Sequence, residues 1–433
     1  MDPKFGFCIQ GVGAVTPIGA DAKQTWDELL QGTEAVRQLL PKGFGERSYY
    51  YSAVPVKFTN AAGRQPRLRR SGEISLLGVS AGLAALSDAG IPGEEARRGA
   101  IVFAIACGGV DYTRRFYHEV LTEGANVASP LLFPETVYNA PASHLAALLK
   151  VDGPDYTLVG DSSVGLSALN FASQLLAIDP ALPFCVVVGV EEADWVLADG
   201  FATWRMASNQ SSFPVFGARQ GTILAESAAA VVLSRSGSFR LVGTSAGLPF
   251  FSQKEAPGAL AELAAQVCDG RMPAGILSSA NGTFADRVEE AVFASAFGSV
   301  PVYAHKPAIG DSLGASAVLQ LVLAKFALEQ QKLPPTLHAG QRLQTVSRSV
   351  TEIHGDEVLI TSVGFNQQVN AALVGRGGGE KTWWGEAPEG IYHRTEAADD
   401  IGRAMLLRLK PCRAATQRWE TARRVLGRSG TIR

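Results

Sequence analysis

The sequence is short of charge, of sulfur and of long apolar runs. Of 433 residues only 18% are charged, and the formal net charge is −2. That balance excludes the overall basic character expected of a nucleic-acid or anionic-membrane binder. The five cysteines, Cys8, Cys107, Cys185, Cys268 and Cys412, are scattered without a CxxC pair. Such a set argues against a disulfide framework and a zinc cluster, and for a reducing compartment. Cys8 and Cys185 lie in apolar runs and read as small buried hydrophobes. Cys107 stands at a strand end before glycines, with no basic neighbour to activate it. No run reaches the ~18 uninterrupted apolar residues of a bilayer span. The opening "MDPKFGFCIQGVG" carries no long apolar leader. A cytoplasmic protein is expected, with no membrane span, nucleic acid, metal or other cofactor.

What the chain does have is apolar residues, 46% of the total, enough for a large core. Its length suits two ordinary domains or one large duplicated one. Apolar runs at 5–11, 100–106, 156–160, 184–190 and 228–234 read as strands, and a second set follows at 239–247, 275–280, 300–306, 358–365 and 370–376. Their continuity suits strands buried on both faces. In 74–89, Leu76, Val79, Leu83 and Leu86 fall on one helical face. The stretch 313–328 is apolar nearly all round, as a helix sandwiched between layers would be. Five strands followed by five strands predict an internal duplication in an α/β architecture, with helices between and outside two mixed sheets. The break falls near Ser234 to Ser238, giving halves of 1–236 and 237–376 and an extension of 377–433. The extension holds a glycine-rich link, Trp383 and Trp384. From 401 to 433 it is basic, with Glu420 its only acid, and two short helices broken at Pro411 are expected. It reads as a solvated extension or as a basic dock for an acidic partner.

The stretch "TLVGDSSVGLSALNFASQLL" has the form of a nucleophile site, a strand end running through a turn of small residues into a helix. Ser162 is at the turn. A serine needs a general base, and "GDSSVG" is not the G-x-S-x-G elbow. No Ser–His–Asp order can be assembled from His118, His144, His305, His338, His354 and His393. His305 is expected to point to the opposite strand face from the site.

The order of motifs resembles the β-ketoacyl-ACP synthases of the elongating type. "IQGVGAVTPIGADAKQTWDELLQGTEAVRQL", "GEISLLGVSAGLAALSDAGI", "VASPLLFPETVYNAPASHLAALLKVDGP", "GTILAESAAAVVLSR", "HKPAIGDSLGAS" and "ITSVGFNQQVNAALV" carry the likeness, over about residues 4–376. It implies a thiolase-like fold, two similar halves in five αβαβα layers. The family's chemistry uses a Cys at a buried helix N-terminus, where the helix field favours a thiolate, and two His that assist decarboxylation of a malonyl unit on acyl carrier protein.

By motif, the Cys position falls on Ser162. The first His, of an H-G-T motif, falls on Asn281. The second, of a K-x-x-x-G-H motif, falls on Asp311, with Lys306 kept. All three reactive positions depart together. A helix field that lowers a thiol pKa cannot make a useful alkoxide of a serine. Asn281 cannot carry a proton. Asp311 would put negative charge where an enolate develops. The family's glycine-rich gate reads "VGFNQQVN" here, with Asn366, Gln367 and Gln368 after Phe365 stiffening a loop that needs glycine freedom. Glu226 is kept in a supporting position.

The resemblance therefore implies a condensation-deficient subunit in fatty acid or polyketide (including polyene) biosynthesis. It would act like the chain-length-factor partner of an active ketosynthase, in a heterodimer served by acyl carrier protein. In that reading Leu131, Leu132 and Phe133, on the segment that crosses the family's dimer interface, line a partner's pocket. The alternative is an acyltransferase, hydrolase or condensing enzyme using Ser162 on an acyl thioester, with Asp311 or a water as base. A homodimeric acyl-binding scaffold also stays open.

Overall fold

The computed structural model describes residues 6–40, 48–377 and 383–384. The basic segment 401–433, Cys412 and His393 lie outside them. Each of the ten apolar runs forms a strand: β1 Phe7–Val15, β2 Ala100–Ile105, β3 Asp155–Val159, β4 Phe184–Glu191, β5 Ser227–Ser234, β6 Phe239–Thr244, β7 Gly275–Ser278, β8 Val302–Ala304, β9 Glu357–Val363 and β10 Gln368–Arg376. The first five lie in the order β3-β2-β4-β5-β1 and the second five in the order β8-β7-β9-β10-β6. These are the same permutation. The senses also repeat: β1–β5 and β5–β4 are antiparallel, as are β6–β10 and β10–β9. The pairs β4–β2 and β2–β3 are parallel, as are β9–β7 and β7–β8.

The two sheets are not separate, as the sequence led us to expect. Phe7, Cys8 and Ile9 pair with Leu241, Arg240 and Phe239. β1 and β6 each end their half-sheet, and an edge strand leaves N–H and C=O groups to be satisfied. Pairing the edges joins both halves into one hydrogen-bonded path. Trp383 and Trp384 add a short parallel strand on β6.

Seven helices matter to the layering: α1 Glu73–Asp88, α2 Val110–Glu123, α3 Val164–Ile178, α4 Trp195–Thr203, α5 Ala256–Cys268, α6 Ala285–Ala296 and α7 Ser316–Gln330. Helix α1 covers the outer face of the first sheet, and α5 with α6 covers that of the second. Helices α3 and α7 fill the space between. The period-2 alternation of strands shows why both faces had to be apolar. Ala100, Val102 and Ala104 face the central cluster, while Ile101, Phe103 and Ile105 face the outer one. In β9, Val358 and Ile360 face the centre and Leu359 and Val363 the outside.

Of the expected α1 face Val79 and Leu86 are buried, and the rest of the buried surface is made by Ile74, Leu77, Ala81 and Ala85 rather than by Leu76 and Leu83. Small residues let the sheet approach, so they took the inner face, and Leu76 and Leu83 pack at its margin. By length and composition Leu313–Gln330 could cross a membrane, but it is 83% buried inside the protein. Its fully buried mid-helix polar side chain, Gln320, donates to the Leu277 and Thr361 carbonyls at 3.0 and 3.2 Å.

The two central helices touch at Gly165, where a Cβ would lie 2.9 Å from Val318 Cγ2 and 3.0 Å from Ala317 Cβ. Gly165→Ala should therefore destabilise the fold by about 1–3 kcal/mol through overpacking. Gly200→Ala, in α4 with nothing within 4 Å of the new Cβ, should stabilise it by about 0.5–1 kcal/mol. Urea unfolding of both variants beside the parent checks the pair, and equal shifts would contradict this packing.

Candidate functional site

Ser162 sits between β3 and α3 and is 2% exposed. Its carbonyl accepts from Ser362 Oγ at 2.9 Å, which fixes the turn to the end of β9. Among the described residues, no side chain hydrogen-bonds Ser162 Oγ. The residue before it, Asp161, was missed by the sequence reading. Its Oδ1 accepts from Ser163 N at 2.9 Å and Ser163 Oγ at 2.7 Å, and its Oδ2 accepts from Asn366 N at 2.9 Å. Gly364 packs against it so closely that a Cβ there would lie 1.8 Å from Oδ2, a position only glycine can fill.

Asn281 follows β7, Lys306 opens a short helix after β8, and Asp311 precedes α7. The fold brings these three together. Asn281 Nδ2 donates to Asp311 Oδ2 at 2.7 Å, and Asn281 Oδ1 accepts from Thr283 Oγ1 at 2.6 Å. Asp311 Oδ1 accepts from Leu313 N at 3.1 Å and Ser316 Oγ at 3.2 Å. Lys306 Nζ lies 3.1 Å from Asp311 Oδ1. Its approach is off hydrogen-bond geometry, so the contact is chiefly Coulombic. Asn281, Lys306 and Asp311 are 5%, 0% and 1% exposed. Burial pushes the Asp311 carboxyl up, but Lys306 first, then Asn281 and the Leu313 amide, outweigh it and hold the group below the usual carboxylate range. Asp311 is thus an anion whose acceptor sites are taken, and a weak base. Ser162 connects to this group indirectly: Ser362 Oγ holds its carbonyl, and the next residue, Val363, donates to Ser279 Oγ at 2.9 Å, two residues before Asn281.

His305 is not on a strand. β8 ends at Ala304, and His305 caps the short helix Lys306–Ile309. Burial, with Lys306 beside it, lowers its pKa to about 3, and Nε2 has no partner. It is a neutral imidazole, not an imidazolium, at physiological pH. Cys107 is likewise inert, its thiol pushed up by burial and by Glu191.

The loop after β9 is held from several sides. Phe365 packs against Phe201 and Trp204, with ring centroids 5.4 and 6.4 Å away. Gln367 has φ of 69°, the left-handed region that favours glycine. Its carbonyl accepts from Phe250 N at 2.9 Å, and its Nε2 donates to the Phe251 carbonyl at 3.2 Å. Asn366 and Gln367 point outward. Beside this loop opens a cavity of about 880 Å³ lined by Tyr49, Trp204, Arg205, Ser208 and Arg219 among others.

Glu226 touches none of Ser162, Asn281, Asp311 or Lys306. Its Oε2 accepts from Val54 N at 2.9 Å, and it lines a separate cavity of about 270 Å³ with Glu73, Asp111, Arg114 and Glu192. Burial is the main cause that raises Glu226 to about 7 and Glu192 to about 8. On the surface, Leu131 and Phe133 are 61% and 56% exposed, while Leu132 at 8% is packed into its own chain.

Residues 7–237 match the beta-ketoacyl synthase N-terminal domain and residues 276–340 the C-terminal domain of the same enzymes. The chain belongs to the beta-ketoacyl synthase family. It is 22% identical over 410 residues to 3-oxoacyl-[acyl-carrier-protein] synthase 2 of Vibrio harveyi, covering 84% of this chain and 97% of that one. Among solved structures, the ishigamide ketosynthase/chain length factor superposes with a TM-score of 0.77 at 18% identity, over 87% of this chain and 100% of that one. A ketosynthase in complex with its chain length factor from Xenorhabdus doucetiae gives 0.70 at 18%, over 87% and 99%. The fold is thiolase-like, and the family is that of fatty acid and polyketide synthesis.

Two outcomes follow from the buried charges of this ketosynthase fold. Lys306→Met, leaving Asp311 uncompensated, should cost about 3–5 kcal/mol, and Lys306→Met with Asp311→Asn should recover much of it. Chemical denaturation in a double-mutant cycle measures the coupling. The raised carboxyls Glu192 and Glu226 bind protons more readily folded than unfolded. Their stabilising contribution is complete below the ordinary carboxylate range and is lost as pH rises through 7 to 8. The melting temperature should fall between about pH 5 and 8, level off above that, and fall less in Glu192→Gln. Identical pH profiles for the two proteins would contradict it.

Proposed function

We propose that this chain is a non-condensing ketosynthase-like subunit, a chain-length-factor-like partner of an active ketosynthase. The observation that carries the reading is the closed Asn281–Asp311–Lys306 group. By motif, Ser162, Asn281 and Asp311 stand where the family's Cys and two His stand. The replacements do not rebuild a catalytic set. Asn281 bonds to Asp311, Lys306 pairs with Asp311, and among the described residues no base reaches Ser162 Oγ. A condensing site needs a thiolate or a base-activated nucleophile, and donors aimed at developing negative charge. Here an ion-paired carboxylate stands at one of the donor positions. The same engagement of Asp311 weighs against the alternative, a serine acyltransferase or hydrolase with Asp311 as base.

A partner is supported by the free edge of the first sheet. Among the described residues β3 pairs only with β2, and its Tyr156 and Val159 are exposed. Tyr117, Leu121, Leu131, Phe133, Val137 and Tyr138 are exposed as well. An exposed strand edge with so many apolar side chains asks to be covered. The cover we propose is an active ketosynthase, as in the ketosynthase complex from Xenorhabdus doucetiae; a second copy of this chain is the other candidate. Carrier-protein docking is supported by the exposed Arg64, Arg67, Arg69 and Arg70, a basic strip suited to an acidic surface. We place the pair in the cytoplasm.

The test is co-expression with a ketosynthase that keeps Cys and both His. The two should co-purify, and Ser162→Ala should leave the products of the pair unchanged. Incubation with an acyl carrier thioester should add no acyl mass to this chain, and an adduct on Ser162 would overturn the reading. Leu131→Glu combined with Tyr156→Glu should weaken association at least about tenfold, measured by analytical ultracentrifugation.

A further inference from the structure

The turn before α3 carries a buried carboxylate that the proposed role does not use. Asp161 is 2% exposed. One of its oxygens serves the turn, through Ser163 N and Ser163 Oγ, and the other serves the covering loop, through Asn366 N. Ser163 Oγ also lies 3.0 Å from Gln368 Oε1, so its single proton is shared between that oxygen and Asp161 Oδ1. Gly364 N donates to the Gln368 carbonyl at 2.8 Å, closing the loop on itself. Gly364 is pressed onto the Asp161 carboxylate, and Phe365 between them is packed on Phe201 and Trp204.

The arrangement has a mechanical and an electrostatic consequence. Mechanically, the loop cannot lift from Ser162 without uncovering Asp161 and breaking the Asn366 bond. Electrostatically, the carboxylate takes an amide at the start of α3, next in sequence to Ser162. Free amides there and the helix dipole are what would favour a thiolate or a developing oxyanion. A fixed negative charge in the same place offsets that field at short range.

We propose that Asp161 is a positioning carboxylate that latches the 364–368 loop over Ser162 and cancels the helix field at position 162. The site is then unactivated whatever nucleophile stands there. The inference rests on reading position 162 as the unreactive nucleophile position, and its test involves no acyl transfer. Failure of the partner role would show as an acyl adduct on Ser162, a separate measurement.

The experiment installs a reporter thiol, Ser162→Cys, in the full chain. Alkylation of that position by iodoacetamide is followed across pH by peptide mass spectrometry, with Asp161 present, with Asp161→Ala and with Asp161→Asn. Hydrogen exchange of 363–368 is followed in parallel, and melting confirms that each protein is folded. With Asp161 present the thiol should titrate at or above the ordinary value of about 8.5. Either replacement should lower that value by about one unit or more and speed alkylation at neutral pH roughly tenfold. Asp161→Ala should also speed exchange in the loop. A thiol already depressed with Asp161 in place would overturn the proposal. So would a folded Asp161→Asn variant whose thiol titrates as in the parent, or a folded Asp161→Ala variant with unchanged loop exchange.

Discussion

A carboxylate taken fully out of water must be compensated, and around Asp311 nearly every nearby polar group is spent on that. Lys306 supplies charge. Asn281, Leu313 and Ser316 supply donors. The backbone of Asp311 is engaged too: its amide donates to the Ile223 carbonyl and its carbonyl accepts from Ala225. These bonds fix where α7 begins, and α7 is the helix on which both sheets close. The closed state of this position and the order of the core come from one set of contacts. Removing Lys306 would strand a charge, whereas removing both partners would strand none, which is the asymmetry expected of a buried pair.

The duplicated topology explains how a site can change so far while the scaffold holds. Each half presents strand ends and helix starts toward the middle layer. The Ser162 turn comes from the first half, and the Asn281 and Asp311 loops come from the second. The ends of β9 and β10 bridge them through Ser362, Val363 and Gln368. Packing in the middle layer depends on contacts such as Gly165 against Ala317 and Val318, which do not involve the polar site residues. Side chains at the meeting point can be exchanged provided each buried polar group finds a partner, and the replacements here mostly find one in each other.

The strands were legible because burial on both faces writes a continuous apolar run, and ten such runs became ten strands. The joining of the sheets was not legible, since edge pairing of β1 with β6 uses backbone groups that every residue carries. Half of the expected face of α1, Val79 and Leu86, lies in the core, while Leu76 and Leu83 sit at its margin because periodicity counts large side chains and the sheet selected Ala81 and Ala85 for close approach. Ser162, Asn281, Lys306 and Asp311 were found from motif order, but their mutual bonding required distances. Glu226 kept its place in a motif and proved to serve the Val54 amide. His305 was assigned to a strand that ends one residue earlier. Asp161 left no signal, because an aspartate beside glycine and serine reads as an ordinary turn residue. Only its burial and its two-sided hydrogen bonding set it apart.

By motif, a serine stands at the nucleophile position and two carboxylates stand near the reactive positions. Asp311 stands at the position matched to a histidine, and Asp161 beside the position matched to the cysteine. A serine hydroxyl is far from ionising on its own, and a helix N-terminus cannot close that gap. A thiol could be brought close by the same helix. An anion fixed at the turn acts against the nucleophile, and an anion fixed at Asp311 acts against the developing enolate. Each opposes a different step of condensation, so restoring one residue would leave the other barrier standing. The Ser162 turn and the loop tied to it are nevertheless built and packed. That combination fits the proposed non-condensing subunit, in which shape rather than reaction is used.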